Sequence, residues 1–348
     1  MGGDTSSAVT MKTLAERLGV SVTTISNAYS KPDRLSADLR EQILAEAKAI
    51  GYCGPSAAGR ALRSGRTDVC GFLFGGQLAE AFADPYTVAF LAGLSETVER
   101  FGASVLLLRA PADGEESEAQ LLQRAAIDAI VTCSASSDHP GTEVLAARGV
   151  RVVGAQDSES GDWVTINDTK AGRLVGKHLA RLGHRRIVVV VPGDTPDDGV
   201  AELPADGSAC SRFAAERIRG LREKLPDASF TVVSAGWKPK QAGRLAAAHA
   251  LDQQDRPTAI VAMSDALALG VLDAARERGL VPGRDISIVG FDDIPDAGFV
   301  GLTTVRQPIT DKGRLAGRLA MDPDYPQRRI TLPIELVVRS STGPAPRT

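Results

Sequence analysis

From residue 69 onward, short runs of Val, Ile, Leu and Ala alternate with amphipathic stretches. That alternation limits the folds open to this chain more than any other feature. The runs are 69–74 (VCGFLF), 104–108 (SVLLL), 129–132 (AIVT), 150–153 (VRVV), 186–191 (RIVVVV), 230–233 (FTVV), 259–263 (AIVAM) and 286–290 (ISIVG). Helical patterns lie between and after them, at 86–101, 116–126, 168–182, 212–225, 240–253, 265–278 and 309–320. Strands that are apolar along their whole length have both faces covered, and a helix after each predicts parallel sheets of βαβ units. Eight such runs over residues 69–348 predict two doubly wound subdomains, with an eight-stranded barrel as the alternative. Open sheets of this kind bind ligands beyond the carboxyl ends of their strands, so the loops there are the first place to look for a site.

The first sixty residues follow a different rule. Residues 1–9 read as a flexible tail. Thr10 can cap a helix MKTLAERL that Gly19 ends, and Ser21 can cap a second, VTTISNAY. Only Gly19, Val20 and Ser21 separate the two, which predicts a helix–turn–helix angle. Ser36 can cap a third helix running to about Ile50, whose Leu39, Ile43, Ala47 and Ile50 form a stripe able to cover the first two, and Gly51 stops it. Residues 1–66 carry nine basic and six acidic side chains against 31 and 37 in the remainder, within a chain of formal charge −3. The asymmetry suits a small polyanion-facing module on an acidic body, although chance can also produce it.

Composition narrows the function classes. At 348 residues with 43% hydrophobic and 24% charged side chains, the chain can build proper cores. Aromatics at 4% argue against the stacking platforms of single-strand binders. Cys53, Cys70, Cys133 and Cys210 lie far apart without a C-x-x-C pair, so neither a disulfide scaffold nor a metal site is expected. No run reaches the length of a membrane span and the N-terminus has no apolar signal region; the expectation is a cytoplasmic protein with no membrane partner. Phosphate-loop, nucleophile-elbow, zinc-protease and dinucleotide fingerprints are all missing. His139, His178, His184 and His249 are scattered, with His184 read as structural and Cys133 as a small buried hydrophobe. An enzyme is therefore not expected, nor a cofactor.

The segment Thr10–Tyr29 (TMKTLAERLGVSVTTISNAY) resembles the DNA-reading segment of the lactose-repressor (LacI/GalR) family of bacterial transcription regulators. The likeness continues through RLS at 34–36, GY at 51–52, PSAAGRAL at 55–62, LGHRRI at 182–187, RIRG at 217–220, MSD at 263–265, VGFDD at 289–293 and LTTVRQP at 302–308. It implies a multidomain chain with an all-α helix-turn-helix head over 1–54 and a hinge helix and linker over 55–66. Residues 67–348 would then form an α/β two-lobed, periplasmic-binding-protein-like domain for effector binding and dimerisation, built on doubly wound parallel sheets. Lobe 1 would take about 67–165 and 307–328, and lobe 2 about 166–306 and 329–342, with crossovers near Ile166, Arg306 and Arg329. The implied function is a sequence-specific regulator, a repressor, holding a palindromic double-stranded operator as a homodimer under control of a small effector, a sugar. A purine or nucleoside effector, an activator, and a solute-binding protein that touches no DNA are the alternatives. The sequence stops at GPAPRT, soon after ELVV and without a heptad helix, so a dimer is expected over a coiled-coil tetramer.

In such a head the second helix enters the major groove with its N-terminal residues on base edges. Here those are Val22 and Thr23, with Asn27 one turn on. Val22 offers a methyl surface for thymine, Thr23 donates or accepts, and an Asn grips adenine at two points. The family often carries Arg where this chain has Asn27, so its guanine preference does not carry over, and Asn27 can also be an exposed residue without a contact. Thr10, Ser21, Thr24 and Ser26 are candidate phosphate contacts through hydroxyls and helix N-terminal amides. For Thr10 and Ser21, capping alone is the other reading.

The resemblance further assigns 55–62 to a hinge helix that forms on DNA, with Leu62 wedged into the minor groove and Arg60 on phosphate. Eight residues, one of them Gly59, are too few for a stable helix alone, so order there would depend on DNA. Two residues, Cys53 and Gly54, separate Tyr52 from Pro55 where the family has one, and an ordinary linker with Leu62 packed on protein remains open. Effector contacts carried over from the family are Arg217, Ser264, Asp265 and Asp292, with Trp237 as a stacking wall and Phe74, Tyr86, Cys133 and Gln156 contributing from lobe 1. These suit a polyol: carboxylates accept from hydroxyls, a guanidinium donates, and an aromatic face covers C–H surface. Asp265 can instead cap the helix ALALGVLDAARERG, Asp293 can be a structural turn residue, and Trp237 can belong to the core.

Overall fold

The computed structural model describes residues 9–55, 59, 61, 64–75, 78–109, 118–132, 143–158, 161–193, 199–236 and 238–346. The chain divides into two compact units, Met1–Asp68 and Val69–Thr348. In the first, α1 (Met11–Leu18) and α2 (Val22–Ser30) join through Gly19, whose φ of 66° is the left-handed conformation that ends α1. Thr10 Oγ1 accepts from Thr13 N at 3.3 Å and Ser21 Oγ from Thr24 N at 3.0 Å, caps each worth about 1 kcal/mol. A 3-10 turn (Pro32–Arg34) leads to α3 (Ala37–Ala49), capped by Ser36. Leu14, Ala15, Ile25, Ala28, Ile43 and Ala47 form the buried centre, so the stripe on the third helix does cover the first two. Gly59, Ala61 and Ser64 have helical backbone, where the sequence of that short stretch predicts no stable helix by itself.

The second unit holds two sheets. The elements that build them are β1 (Val69–Phe74), α4 (Leu78–Ala83), α5 (Pro85–Arg100), β2 (Ser104–Arg109), α6 (Glu118–Arg124), β3 (Ala129–Thr132), α7 (Glu143–Ala147), β4 (Arg151–Gly154) and β5 (Asp162–Ile166). There follow α8 (Asp168–Arg181), β6 (Arg186–Pro192), β7 (Val200–Leu203), α9 (Arg212–Lys224), β8 (Ser229–Ala235), α10 (Pro239–Leu251), β9 (Ala259–Ala262) and α11 (Asp265–Glu277). The last are β10 (Ser287–Asp292), α12 (Pro295–Phe299), β11 (Thr303–Arg306), α13 (Ile309–Met321), β12 (Arg329–Leu332) and β13 (Glu335–Val337). Sheet one runs β12-β5-β4-β3-β1-β2, all parallel; sheet two runs β13-β11-β10-β9-β6-β8-β7, with only its edge strands antiparallel. Two open doubly wound sheets, not a barrel, are the architecture.

The chain crosses between the sheets after Ile166, between β11 and α13, and again at Pro333–Ile334. The third crossing differs from the expected position near Arg329: Arg329–Leu332 pairs in parallel with Trp163–Ile166 and completes the edge of sheet one, and only β13 returns to sheet two. The strands β5, β7, β11, β12 and β13 are additions to the eight legible runs. Each is short and lies on or next to an edge, where polar residues are tolerated and the continuous apolar signature is lost.

Two closely packed helix pairs hold polar side chains in register. A methyl group at Gly172 on α8 would overlap the carbonyl oxygen of Arg217, and one at Gly220 on α9 would overlap that of Thr169, so α8 and α9 touch backbone to backbone. Gly93 on α5 and Gly313 on α13 do the same against Thr310 and Phe90. Bulkier residues at these positions would push Asp168 away from Arg217, and Lys312 away from Tyr86.

Candidate functional site

In the N-terminal unit, α2 buries Ile25 and Ala28 and leaves the opposite side to solvent. Val22 is 42% exposed, Thr23 is exposed, and Asn27, one turn on, is half-buried. The hydroxyls of Ser21 and Thr24 lie 2.8 Å apart, and Ser30 donates to Ser26 O at 2.8 Å. Thr10 and Ser21 therefore cap helices while their edges stay open, so capping does not remove them from a surface. Elsewhere in this unit Arg40 Nε donates to Ala28 O at 3.2 Å, and Arg17 pairs with Glu46 at 2.7 Å. Arg60 and Leu62 lie outside the described residues, as do Cys133 and Trp237.

In the second unit a cavity of about 230 Å³ opens where the carboxyl ends of strands from both sheets converge. From sheet one come Phe74, Ala155, Gln156 and Ile166; from sheet two come Pro192, Met263, Ser264, Asp292 and Gln307. Helices and their leading turns add Asp84, Tyr86, Thr87, Asp168, Phe213, Arg217, Pro239 and Lys312. Of the residues singled out in the sequence, Arg217, Ser264, Asp292, Tyr86, Phe74 and Gln156 meet on this wall.

Arg217 is 5% exposed and held from three sides. Its Nε donates to Asp168 Oδ1 at 2.7 Å, its Nη1 donates to Met263 O at 2.8 Å, and its guanidinium carbon lies 4.3 Å and 5.1 Å from the ring centres of Phe291 and Phe213. A guanidinium so fixed presents its remaining donors in one plane, the geometry for gripping oxygen pairs. Asp292 ends β10 with φ at 121° and Asp293 follows with φ at 56°, so the backbone turns sharply with two carboxylates on it. Asp293 is clamped by Arg306 Nε and Arg339 Nη2, both at 2.6 Å, which makes it the turn's anchor. Asp292 accepts from Gln307 Nε2 at 2.6 Å. Burial, and then the charge of Asp265, push the Asp292 carboxyl well above the ordinary range, while Arg217 opposes them.

Asp265 is fully buried and is not among the residues lining the cavity. Its Oδ1 accepts from Thr304 Oγ1 at 2.6 Å and its Oδ2 from Ile294 N at 3.0 Å, which ties α11 to β11 and to the turn after β10. It is not a helix cap either: Ser264 fills that role, its Oγ accepting from Leu267 N at 3.2 Å. Burial pushes the Asp265 carboxyl up to about 7, against the bonds from Thr304 and Ile294.

Asp84, Asp168, Phe213, Gln307 and Lys312 line the cavity without having been singled out. Asp84 spends both oxygens capping α5, on Tyr86 N and on the Thr87 amide and hydroxyl. Lys312 Nζ donates to Tyr86 OH at 3.2 Å. One signal was available for the lysine: it stands at position four of a helix whose neighbours Ile309, Ala316 and Leu319 are apolar. Gln307 lies within LTTVRQP at 302–308, where nothing local marks its amide as a cavity group. His184 is buried between Thr258 and Gly343, a structural position. Among the described residues no three His, Cys, Asp or Glu gather as a metal site, and no helix is long and apolar enough to cross a membrane.

Comparison with known proteins gives concordant results. Residues 177–342 match the periplasmic binding protein-like domain. The chain is 37% identical over 331 residues to an HTH-type transcriptional regulator of Mycolicibacterium smegmatis, covering 90% of each chain. A LacI-family transcriptional regulator of Corynebacterium glutamicum has a similar structure, with TM-score 0.69 and 27% identity over 97% of this chain and 99% of that one. The regulator CelR in complex with cellobiose shares the fold, with TM-score 0.64 and 24% identity over 96% and 99% of the two chains.

Proposed function

Because the chain belongs to the lactose-repressor (LacI/GalR) family of transcription regulators, we propose that it is a dimeric repressor of a palindromic operator, governed by a single-ring sugar in the cavity at the strand ends. The protein is a transcription regulator rather than an enzyme; it binds DNA through its N-terminal unit and a small effector through the second. One observation carries the finer reading. A capped second helix with Val22 and Thr23 exposed at its start shares a chain with a polar, aromatic-walled cleft built around Arg217 and Asp292.

Val22, Thr23 and Asn27 read base edges, and Thr10, Ser21, Thr24, Ser26 and Arg60 hold phosphates. Leu62 enters the minor groove of the bound duplex. In the cleft Arg217, Asp292 and Ser264 bond hydroxyls, Phe74 and Tyr86 cover the sugar's apolar face with Trp237, and Gln156 bonds from the first lobe. Asp265 acts from beneath, by fixing the turn that presents Asp292. At about 230 Å³ the cavity is below the usual range for drug-sized ligands and fits one sugar ring. Cellobiose in CelR makes a carbohydrate effector the natural class to try first.

A palindrome needs two heads related by a two-fold axis. Phe299 is 88% exposed, Val338 57% and Val281 43%. The segments carrying them meet at Ser340, against which both Gly283 and Gly301 abut. A patch of this kind suits a subunit contact. Selection of bound DNA from a random pool, with and without a panel of sugars, tests the whole reading. A palindrome of about 14–20 base pairs whose recovery changes with one sugar is expected; equal retention of all sequences under every condition would refute it.

A further inference from the structure

Gln307 stands directly after β11, on the segment by which the chain leaves sheet two for α13 and the core of sheet one. It lines the effector cavity and is 6% exposed. Its Nε2 donates to Asp292 Oδ1 at 2.6 Å, while its Oε1 is buried with no hydrogen-bond partner. A buried carbonyl without a donor is costly, and interiors rarely leave one unless another arrangement satisfies it. The same side chain thus holds the strained Asp292 with one end and carries an unmet acceptor at the other. Just before it, Thr304 and Val305 fix β11 against β10 and β13, with Thr304 bonded to Asp265. Two residues after it, Ile309 packs in the core of the first lobe.

We propose that Gln307 is a positioning residue that couples effector occupancy to lobe arrangement: an effector hydroxyl bonded at Asp292 shifts Gln307, whose carbonyl gains a donor in the effector-bound arrangement, and the crossover moves with it. The inference rests on the regulator reading above and deepens it. Arg217 and Asp292 supply affinity for the ligand; Gln307 converts that affinity into a difference between two states, the quantity that changes operator affinity.

The test uses the full chain, an operator recovered from a random pool, and D-ribose, D-glucose, D-galactose and cellobiose as probes. With a sugar that binds, wild-type operator affinity is expected to change by about 5- to 150-fold, the usual range for such coupling. Gln307→Met should reduce that change to less than about twofold while sugar Kd moves by less than about tenfold, a split that a plain contact would not give. Gln307→Glu keeps the acceptor. Beside Asp292, which also faces Asp265, Asp84 and Arg217, it should retain coupling at pH 6, where a proton can be shared, and lose it at pH 8. An unchanged operator response in Gln307→Met, or loss of sugar affinity and response in equal measure, overturns the role of Gln307. Should Gln307→Met not fold, a Gln307→Glu response that does not vary between pH 6 and pH 8 overturns it instead. If no probe binds the wild-type chain, the proposed effector class falls and this inference with it.

Discussion

Arg217 and Asp168 lie forty-nine positions apart in the chain and meet at 2.7 Å, with side chains 7% and 10% exposed. The pair sits on the wall of the cavity at the strand ends, beside the glycines that let α8 and α9 come together. Removing one member of a buried pair strands the other charge, which typically costs about 3–5 kcal/mol. Asp168→Ala should therefore lower stability by about that amount in urea unfolding. Asp168→Asn, which keeps an acceptor for Nε, should lose less, and both should weaken sugar binding by loosening the guanidinium.

Asn27 is half-buried on the face of α2 that also exposes Thr23. If it grips one base, Asn27→Ala relaxes discrimination at a single position in each half-site, worth about 1–3 kcal/mol against the wrong base. Affinities for operators substituted one position at a time would reveal this. Equal weakening on every sequence would instead assign Asn27 to general packing or phosphate contact.

The sheets were readable wherever the strands are central. RIVVVV, AIVAM and ISIVG announce β6, β9 and β10 because buried parallel strands admit almost nothing polar. DWVTI, VAEL, TTVR, RITL and ELV carry no such signature, since strands on or near a sheet edge tolerate polar residues, and the position of the third crossing was lost with them. The cavity was legible in part. Arg217 and Asp292 stood out through short motifs, but Asp168 read only as the start of a helix, and Lys312 and Gln307 as ordinary members of their segments. Their meeting is a property of chain crossings, which no local pattern encodes. Asp265 and Asp292 look alike in sequence, each following an apolar run; only the fold puts one beneath the wall and the other on it.

Phe299, the most exposed large apolar side chain among the described residues, offers a direct handle on assembly. Phe299→Glu removes no internal contact of consequence, so its circular dichroism and melting at low concentration should match the parent. Sedimentation should show the wild type as a dimer and the variant shifted toward monomer. Operator binding should then weaken by more than about tenfold, because two heads no longer bind as one. A variant that stays dimeric would move the interface elsewhere.

The last prediction concerns pH and rests on Asp265. Its carboxyl is pushed up to about 7 in the folded protein, mainly by burial, against an ordinary value of about 3.9. A carboxyl with a raised folded pKa binds its proton more tightly folded than unfolded. Its contribution to stability is therefore complete below about pH 4 and is lost as pH climbs toward about 7, levelling off above that. Asp292, Asp293 and Thr304 face it from β10, the turn after it and β11: the charge of Asp293 pushes in the same direction as burial, the Thr304 hydroxyl opposes it, and Asp292 is a carboxyl that burial also pushes up. Asp265→Asn cannot titrate, yet keeps an acceptor for one of the two donors. The melting temperature of the wild type minus that of Asp265→Asn should thus be largest near pH 4 and shrink by pH 7.5, since the titrating groups outside the buried Asp265–Asp292 pair are common to both proteins. A difference that grows with pH would mean that Asp265 stays ionised in its buried site, with Thr304 and Ile294 outweighing desolvation.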